Sequence, residues 1–305
     1  MTSSPSTPFI TQTAGKGAAR AARRRPNDRD EDGPRARKRT YLPLSIVVLI
    51  SLVPLYYTFL LASSTSSDIA QNPIPSPIPG THLIENLTRV FGADIDLPRA
   101  AWNSLVVSVV TAVAVVFLSV LAGFAFARLQ FRGRALLLTF VVATMAVPTQ
   151  LGVVPLFIVM RELGLTGSLW AVILPGIASA FGVFMMTQYL SAALPYELIE
   201  AARIDGASTF RIFRSIVFPA ALPAASMLGL FTFIGAWTNY FWPSIVLGST
   251  NPTLPVALQL LQTGFFKDIA LIMAGVLVSV VPLLVLFVVV GRQLVAGVMQ
   301  GAVKG

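Results

Sequence analysis

Cysteine is absent from all 305 residues, which removes disulfides, thiolate catalysis and cysteine-based metal sites, and leaves the redox compartment open. Histidine occurs once, as His82, in a polar segment with no second ligand at metal spacing. No metal site is expected, and a solvated loop histidine is the reading. Charge is scarce as well: 11% of residues are Asp, Glu, Lys or Arg, against about 25% in soluble domains. The long apolar runs hold none of the acidic or basic residues that ion-coupled carriers and proton pumps place at membrane depth. No G-x-x-x-x-G-K-[ST] phosphate loop exists, so ATP is not bound by that route. Arg161-Glu162 and Lys267-Asp268 are the only opposed charges at the outer ends of apolar runs, and exposed pairs are usually just solvated. An integral membrane enzyme is therefore a remote alternative, and no catalytic residue is assigned.

What is abundant is apolar. Hydrophobic residues make up 55% of the chain and the mean hydropathy is +0.77. A bilayer-crossing helix needs about 20 apolar residues. Six runs qualify: about 42–63, 103–127, 136–160, 168–190, 222–247 and 269–291. The fold class expected is all-α, a polytopic membrane protein of six spans. The net charge is +9, but ten of the 22 basic residues precede Tyr41, so the charge is a tail and not a nucleic-acid groove. Residues 1–41 lack the apolar content to fold and are read as a disordered basic tail, attracted to anionic lipid. Residues 42–305 form the spanning domain, with a loop at 191–219 and a tail at 292–305. Leu42–Leu61 is too long for a signal-peptide core and is read as an uncleaved first span.

Orientation follows from the positive-inside rule. With the N-terminus cytoplasmic, 18 basic residues fall inside and four, Arg89, Arg99, Arg161 and Lys267, fall outside. Both termini and the 191–219 loop are thus expected on the cytoplasmic side. Segment 64–101 becomes external. It carries the proline-rich NPIPSPIPG, which favours extended chain, and a glycosylation sequon at Asn86-Leu87-Thr88.

The 191–219 loop is longer than a connection requires. Pro195 suits a first helical position, and Glu197 and Glu200 suit the first turns of a helix. Gly206 suits a left-handed cap, and Ser208 or Thr209 the start of a second helix. Phe210, Phe213 and Val217 then share a stripe, and Pro219 and Pro223 close this helix before the fifth span. Physics alone allows a helix pair resting on lipid headgroups. The residues carry more than that. Glu200-Ala201-Ala202, Asp205-Gly206-Ala207, Phe213, Ile216, Pro219 and Pro223 resemble, in register, the cytoplasmic "EAA" signature of permease subunits in bacterial ABC importers. Phe218 replaces the usual leucine. GAWTNYFWPSIVL (235–247) and LVAGVMQGAVKG (294–305) resemble segments of sugar-type permeases of the maltose-permease G-type, and VPTQLGVVPLF in the third span extends the likeness to about residues 42–305.

The resemblance implies the type I ABC importer permease fold and a multi-pass protein of the bacterial inner membrane. It implies a heterodimer with a second permease, a cytoplasmic ATPase dimer that binds ATP and Mg, and an extracytoplasmic sugar-binding protein. Glu200 would contact the ATPase, Ala201, Ala202, Gly206 and Ala207 would permit close fit, and Asp205 would brace the bend. No cofactor belongs to this chain. Trp237, Asn239 and Tyr240 suit a sugar pathway, since aromatic faces and amides match hydroxyl-rich rings, although tryptophan and tyrosine near span ends are also ordinary interface anchors. Permeases for polyamines or glycerol phosphate would carry a similar loop. The fifth-span aromatics and the GAVKG end favour sugar.

Overall fold

A computed structural model describes residues 34–302, except 73, 75 and 263–266, and the side chains of most positions between 41 and 289. Every regular element among them is helical. The chain divides into two units at Leu55. The described part of the first is helix from Pro34, which continues to Ala62 in the second unit. Helix thus begins eight residues before Leu42, inside the expected tail. Proline is preorganised for a first turn and Arg and Lys are good helix formers. The rest of the tail, 1–33, lies outside the described residues.

Five helices are long and apolar enough to span: Tyr41–Ala62, Leu97–Arg128, Trp170–Ala193, Thr209–Trp237 and Ile269–Val289. The expected third span is a bent pair, Arg134–Thr144 and Thr149–Glu162, at 89°. Its cause is local. Pro148 has no N–H and takes an extended conformation, and among the described residues no backbone N–H reaches the carbonyls of Met145, Ala146 or Val147. The break is exposed on every side within this chain.

The Leu97–Arg128 helix, about 48 Å long, organises the second unit. Asp96 caps it in a left-handed conformation, its carboxylate accepting from the Arg99 amide. Its buried face carries small and hydroxyl residues, among them Ser104, Ser108, Thr111, Ser119 and Gly123. These let the fourth span approach closely. A Cβ on Gly123 would lie 2.7 Å from Met186 Cβ, and one on Gly182 would meet the Ser119 hydroxyl. Lipid tails are as apolar as Leu, so in-membrane packing relies on such close fits. Toward the C-terminal end of this helix, Val120, Phe124 and Ala127 pack with Leu190, Leu194, Ile199, Ile212 and Val217. Toward its N-terminal end, Leu97 and Ala100 pack with Val90, Trp237, Leu254 and Ala274.

The 64–101 segment folds more than its prolines suggest. Helices Ser66–Gln71 and Leu83–Phe91 flank the proline-rich stretch. Asn86 is 2% exposed and its amide donates to the carbonyls of Ala62 and Ser64, so the sequon is a structural clamp out of reach of a glycan. His82 is half-buried as the N-cap of the second helix, and its backbone amide donates to the Ser63 carbonyl. Asp268 pairs with Arg89 across the fold and not with its neighbour Lys267. Ser66 also donates to Asp268, which caps the last span by accepting from the Leu271 amide.

Candidate functional site

The 195–217 loop is built from its caps. Pro195 is the N-cap, one place before the expected first helical position, and the helix runs Tyr196–Ile204. It ends in a Schellman motif: the Ala207 amide donates to Ala202 O at 2.9 Å and the Gly206 amide to Arg203 O at 3.0 Å. Gly206 has φ +77°, as the sequence implies. Ser208 caps the second helix by accepting from the Arg211 amide at 3.3 Å.

That second helix does not end before the fifth span. It continues through a π-turn at Phe213–Val217 into Phe218–Trp237. Pro219 follows the π-turn directly, where the i→i+4 ladder is already interrupted, and Pro223 is accommodated inside the helix. The π-turn adds a residue to the winding and shifts the phase of the apolar stripe. Ile212, Phe213 and Val217 are buried, whereas Phe210 is 72% exposed. Phe213 meets the rings of Phe117, Phe124 and Phe218, each at 6.2 Å between centroids.

The loop therefore has two sides. Ile199 and Ile212 anchor it in the core, and Ala202 and Ala207, the paired positions of the Schellman motif, pack partly against the same cluster. Glu200, Ala201, Arg203, Asp205, Gly206 and Arg211 face out. None of the four charged side chains among them forms an ion pair or hydrogen bond with the described residues. Asp205 acts at the bend through its backbone, its amide donating to Ala201 O at 3.0 Å. Ile204, 86% exposed, joins Phe210 as an apolar flank that the sequence periodicity does not reveal. Behind the loop, the Arg128 guanidinium donates to the carbonyls of Leu190 and Ser191, tying the ends of two spans together.

At the other end of the fifth span the helix stops at Trp237, so Asn239, within the expected 222–247 run, lies in a break two residues beyond the helix. A six-residue helix, Phe241–Val246, follows. Trp237 is buried, stacked on Phe233, and its indole N–H donates to Ser279 O at 3.1 Å. The Trp242 indole donates to Ala171 O at 2.9 Å. Both tryptophans are thus spoken for by the fold. Tyr240 is 43% exposed. Trp237 and Tyr240 share a cleft of about 410 Å³ with Thr238, Gln259, Gln262 and Ser279; Asn239 is not among its lining residues. The two glutamines lie outside the expected spans, and only helix Leu254–Leu260 folding back beside the sixth span brings them here. Asn103 and Asn251 likewise carry no local sequence signal. Asn103 donates to Asn251 Oδ1 and Pro252 O, and Asn251 to Gly167 O, joining the second span to two loops.

The described residues thus form bilayer-length helices with a capped, outward-facing helical bend at the cytoplasm-assigned end of the fourth and fifth spans. The chain belongs to the family of binding-protein-dependent transport system inner membrane components, whose profile matches residues 116–296. It is similar to the arabinooligosaccharides transport system permease protein AraQ of Halalkalibacterium halodurans, 31% identical, the match covering 86% of this chain and 94% of that one. It is similar also to the lactose transport system permease protein LacG of Rhizobium radiobacter, 32% identical over 87% and 95% of the two chains. The sn-glycerol-3-phosphate transport system permease protein UgpE of Brucella abortus is 31% identical over 85% and 95%. The fold matches a chain of a bacterial ABC transporter involved in the import of the acidic polysaccharide alginate, with a TM-score of 0.69 at 22% identity, covering 94% of this chain and 99% of that one. This is the type I ABC importer permease fold, and the protein is a multi-pass inner-membrane component.

Proposed function

We propose that this chain is one of two unlike permease subunits of an ATP-driven importer of carbohydrate, with both termini and the 195–217 loop in the cytoplasm. The observation that carries the reading is the loop itself: core-anchored on one side, and unpaired on the other at Glu200, Arg203, Asp205 and Arg211. Such a surface suits a protein partner with complementary charge. The partner is an ATPase that holds ATP and Mg, since this chain has no phosphate loop. Glu200 and Asp205 offer charge, Ala201 and Gly206 offer close approach, and Ala202 and Ala207 set the bend. The exposed break at Met145–Pro148 supports a second permease, because irregular backbone at membrane depth needs protein or a water-filled cavity around it. An extracytoplasmic binding protein delivers the solute. The pathway includes the fifth-span end, with Tyr240 and Trp237 in its cleft and Asn239 at the break beside it. AraQ and LacG are named for saccharide transport, and the described residues that line the cleft include no basic one, which favours sugar over glycerol phosphate.

The experiment is purification of the tagged chain from its native membranes. A second permease and an ATPase are expected to co-purify, and the chain stripped of them is expected to hydrolyse no ATP. Gly206→Val is expected to cut ATPase retention and sugar uptake at least tenfold at matched permease level. Wild-type retention and uptake in that variant would reject the loop as the coupling element.

A further inference from the structure

The cleft at the end of the fifth span has a specific chemistry. It is lined by Trp237, Thr238, Tyr240, Gln259, Gln262 and Ser279 together with aliphatic side chains, and has a volume of about 410 Å³. Ligand pockets for small molecules run from about 300 to about 1,000 Å³. Three of its polar groups are already satisfied. Thr238 donates to Ile234 O, Ser279 to Val276 O, and the Trp237 indole to Ser279 O. Trp237 is therefore a fixed wall. The side-chain amides of Gln259 and Gln262 are different, for neither bonds to any described residue. They bring two acceptors and four donors to one cleft. Tyr240 adds a partly exposed ring and a hydroxyl. Among the described residues, no Asp, Glu, Lys, Arg or His lines the cleft.

We infer that this cleft is a contact site for an uncharged glycosyl unit, with Gln259 and Gln262 exchanging hydrogen bonds with its hydroxyls and Tyr240 covering one face of the ring. The inference rests on the carbohydrate reading above and narrows it to uncharged saccharides. Amides suit sugar hydroxyls because each hydroxyl both donates and accepts, as each amide does. An aromatic face suits the C–H face of a pyranose by the same apolar contact that favours aromatics in binding sites generally. A phosphate or uronate would enter without a countercharge, and burying an unpaired anion is expensive. Discrimination thus comes from an absence of charge as much as from the amides.

The test is saturation-transfer NMR on the full-length chain in nanodiscs, with lactose, maltose, trehalose and sn-glycerol 3-phosphate as separate probes. Transfer to at least one disaccharide and none to glycerol phosphate is expected. Gln259→Leu and Gln262→Leu, at positions that are not buried, are each expected to reduce transfer at least fivefold, and Tyr240→Leu likewise. Gln262→Asn is expected to recover part of the signal, which a merely structural role would not predict. No transfer to any disaccharide, equal transfer in the leucine variants, or stronger transfer to glycerol phosphate would overturn the inference. Uptake by whole cells separates the two levels. A wild-type importer that takes up a saccharide, with leucine variants matching it in uptake and NMR, rejects the cleft and leaves the importer standing. A wild type that imports no saccharide rejects the importer reading itself.

Discussion

Gly123 and Gly206 show two distinct reasons for a glycine. At Gly206 an added Cβ meets nothing within 4 Å, but φ is +77°, which disfavours a side chain by about 1–2 kcal/mol. At Gly123 the backbone is helical, yet a Cβ would lie 2.7 Å from Met186 Cβ and 2.9 Å from its carbonyl carbon. Overpacking of that kind costs about 1–3 kcal/mol and has to be relieved by moving a helix. Gly123→Ala is therefore expected to lower the unfolding midpoint in mixed detergent micelles and to shift the fourth span, whereas Gly206→Ala leaves span packing unchanged. Cysteine pairs placed across the second and fourth spans report the shift cleanly, because the chain has no cysteine of its own. Asp268 makes a pH prediction. Partial burial opposes its ionisation, but hydrogen bonds from Ser66 and the Leu271 amide, and the Arg89 guanidinium, outweigh burial and hold its carboxyl below the ordinary 3.8. A depressed folded value stabilises at higher pH, and that contribution fades as pH falls from about 4 through the folded value. Unfolding measured between about pH 5 and about pH 3 is expected to show this loss in the wild type. Asp268→Asn is expected to flatten that component, at a cost on the order of 1 kcal/mol at neutral pH. An unchanged acid slope in Asp268→Asn would count against the network.

At the scale of elements, the chain's own chemistry made some features readable and hid others. The loop's caps were legible because they act within a few residues: Gly206 after Asp205 and Ser208 before Thr209 need no distant partner. The continuity of the second loop helix with the fifth span was not. Pro219 and Pro223 read as stops, but proline is tolerated beside a π-turn and in membrane helices whose surroundings satisfy the freed carbonyl. Phe210 was misplaced for a related reason, since an α-helical wheel carries no π-turn. Of the pathway residues, Tyr240 lines the cleft, while Trp237 proves to be occupied by packing and its bond to Ser279. Gln259 and Gln262 gave no local signal because only tertiary folding brings them beside the fifth-span end. The sixth helix likewise runs on through the expected tail to Ala302.

For the molecule as a whole, the distribution of basic residues makes the orientation testable. A reporter fused after Arg203 is expected to read as cytoplasmic, and one near Glu85 as external. The reverse pattern would remove the loop from the ATPase's compartment and end the coupling account. The bent third element adds a different consequence. Its carbonyls at Met145, Ala146 and Val147 accept no backbone bond from the described residues, and each unsatisfied group in hydrocarbon costs several kcal/mol. A newly made chain that waits in the bilayer without a companion holds that kink against lipid. On the proposed heterodimer, a copy made in excess of its companion is therefore expected to be cleaved near 145–148, and pulse-chase labelling with and without the companion checks whether the excess copy is lost faster.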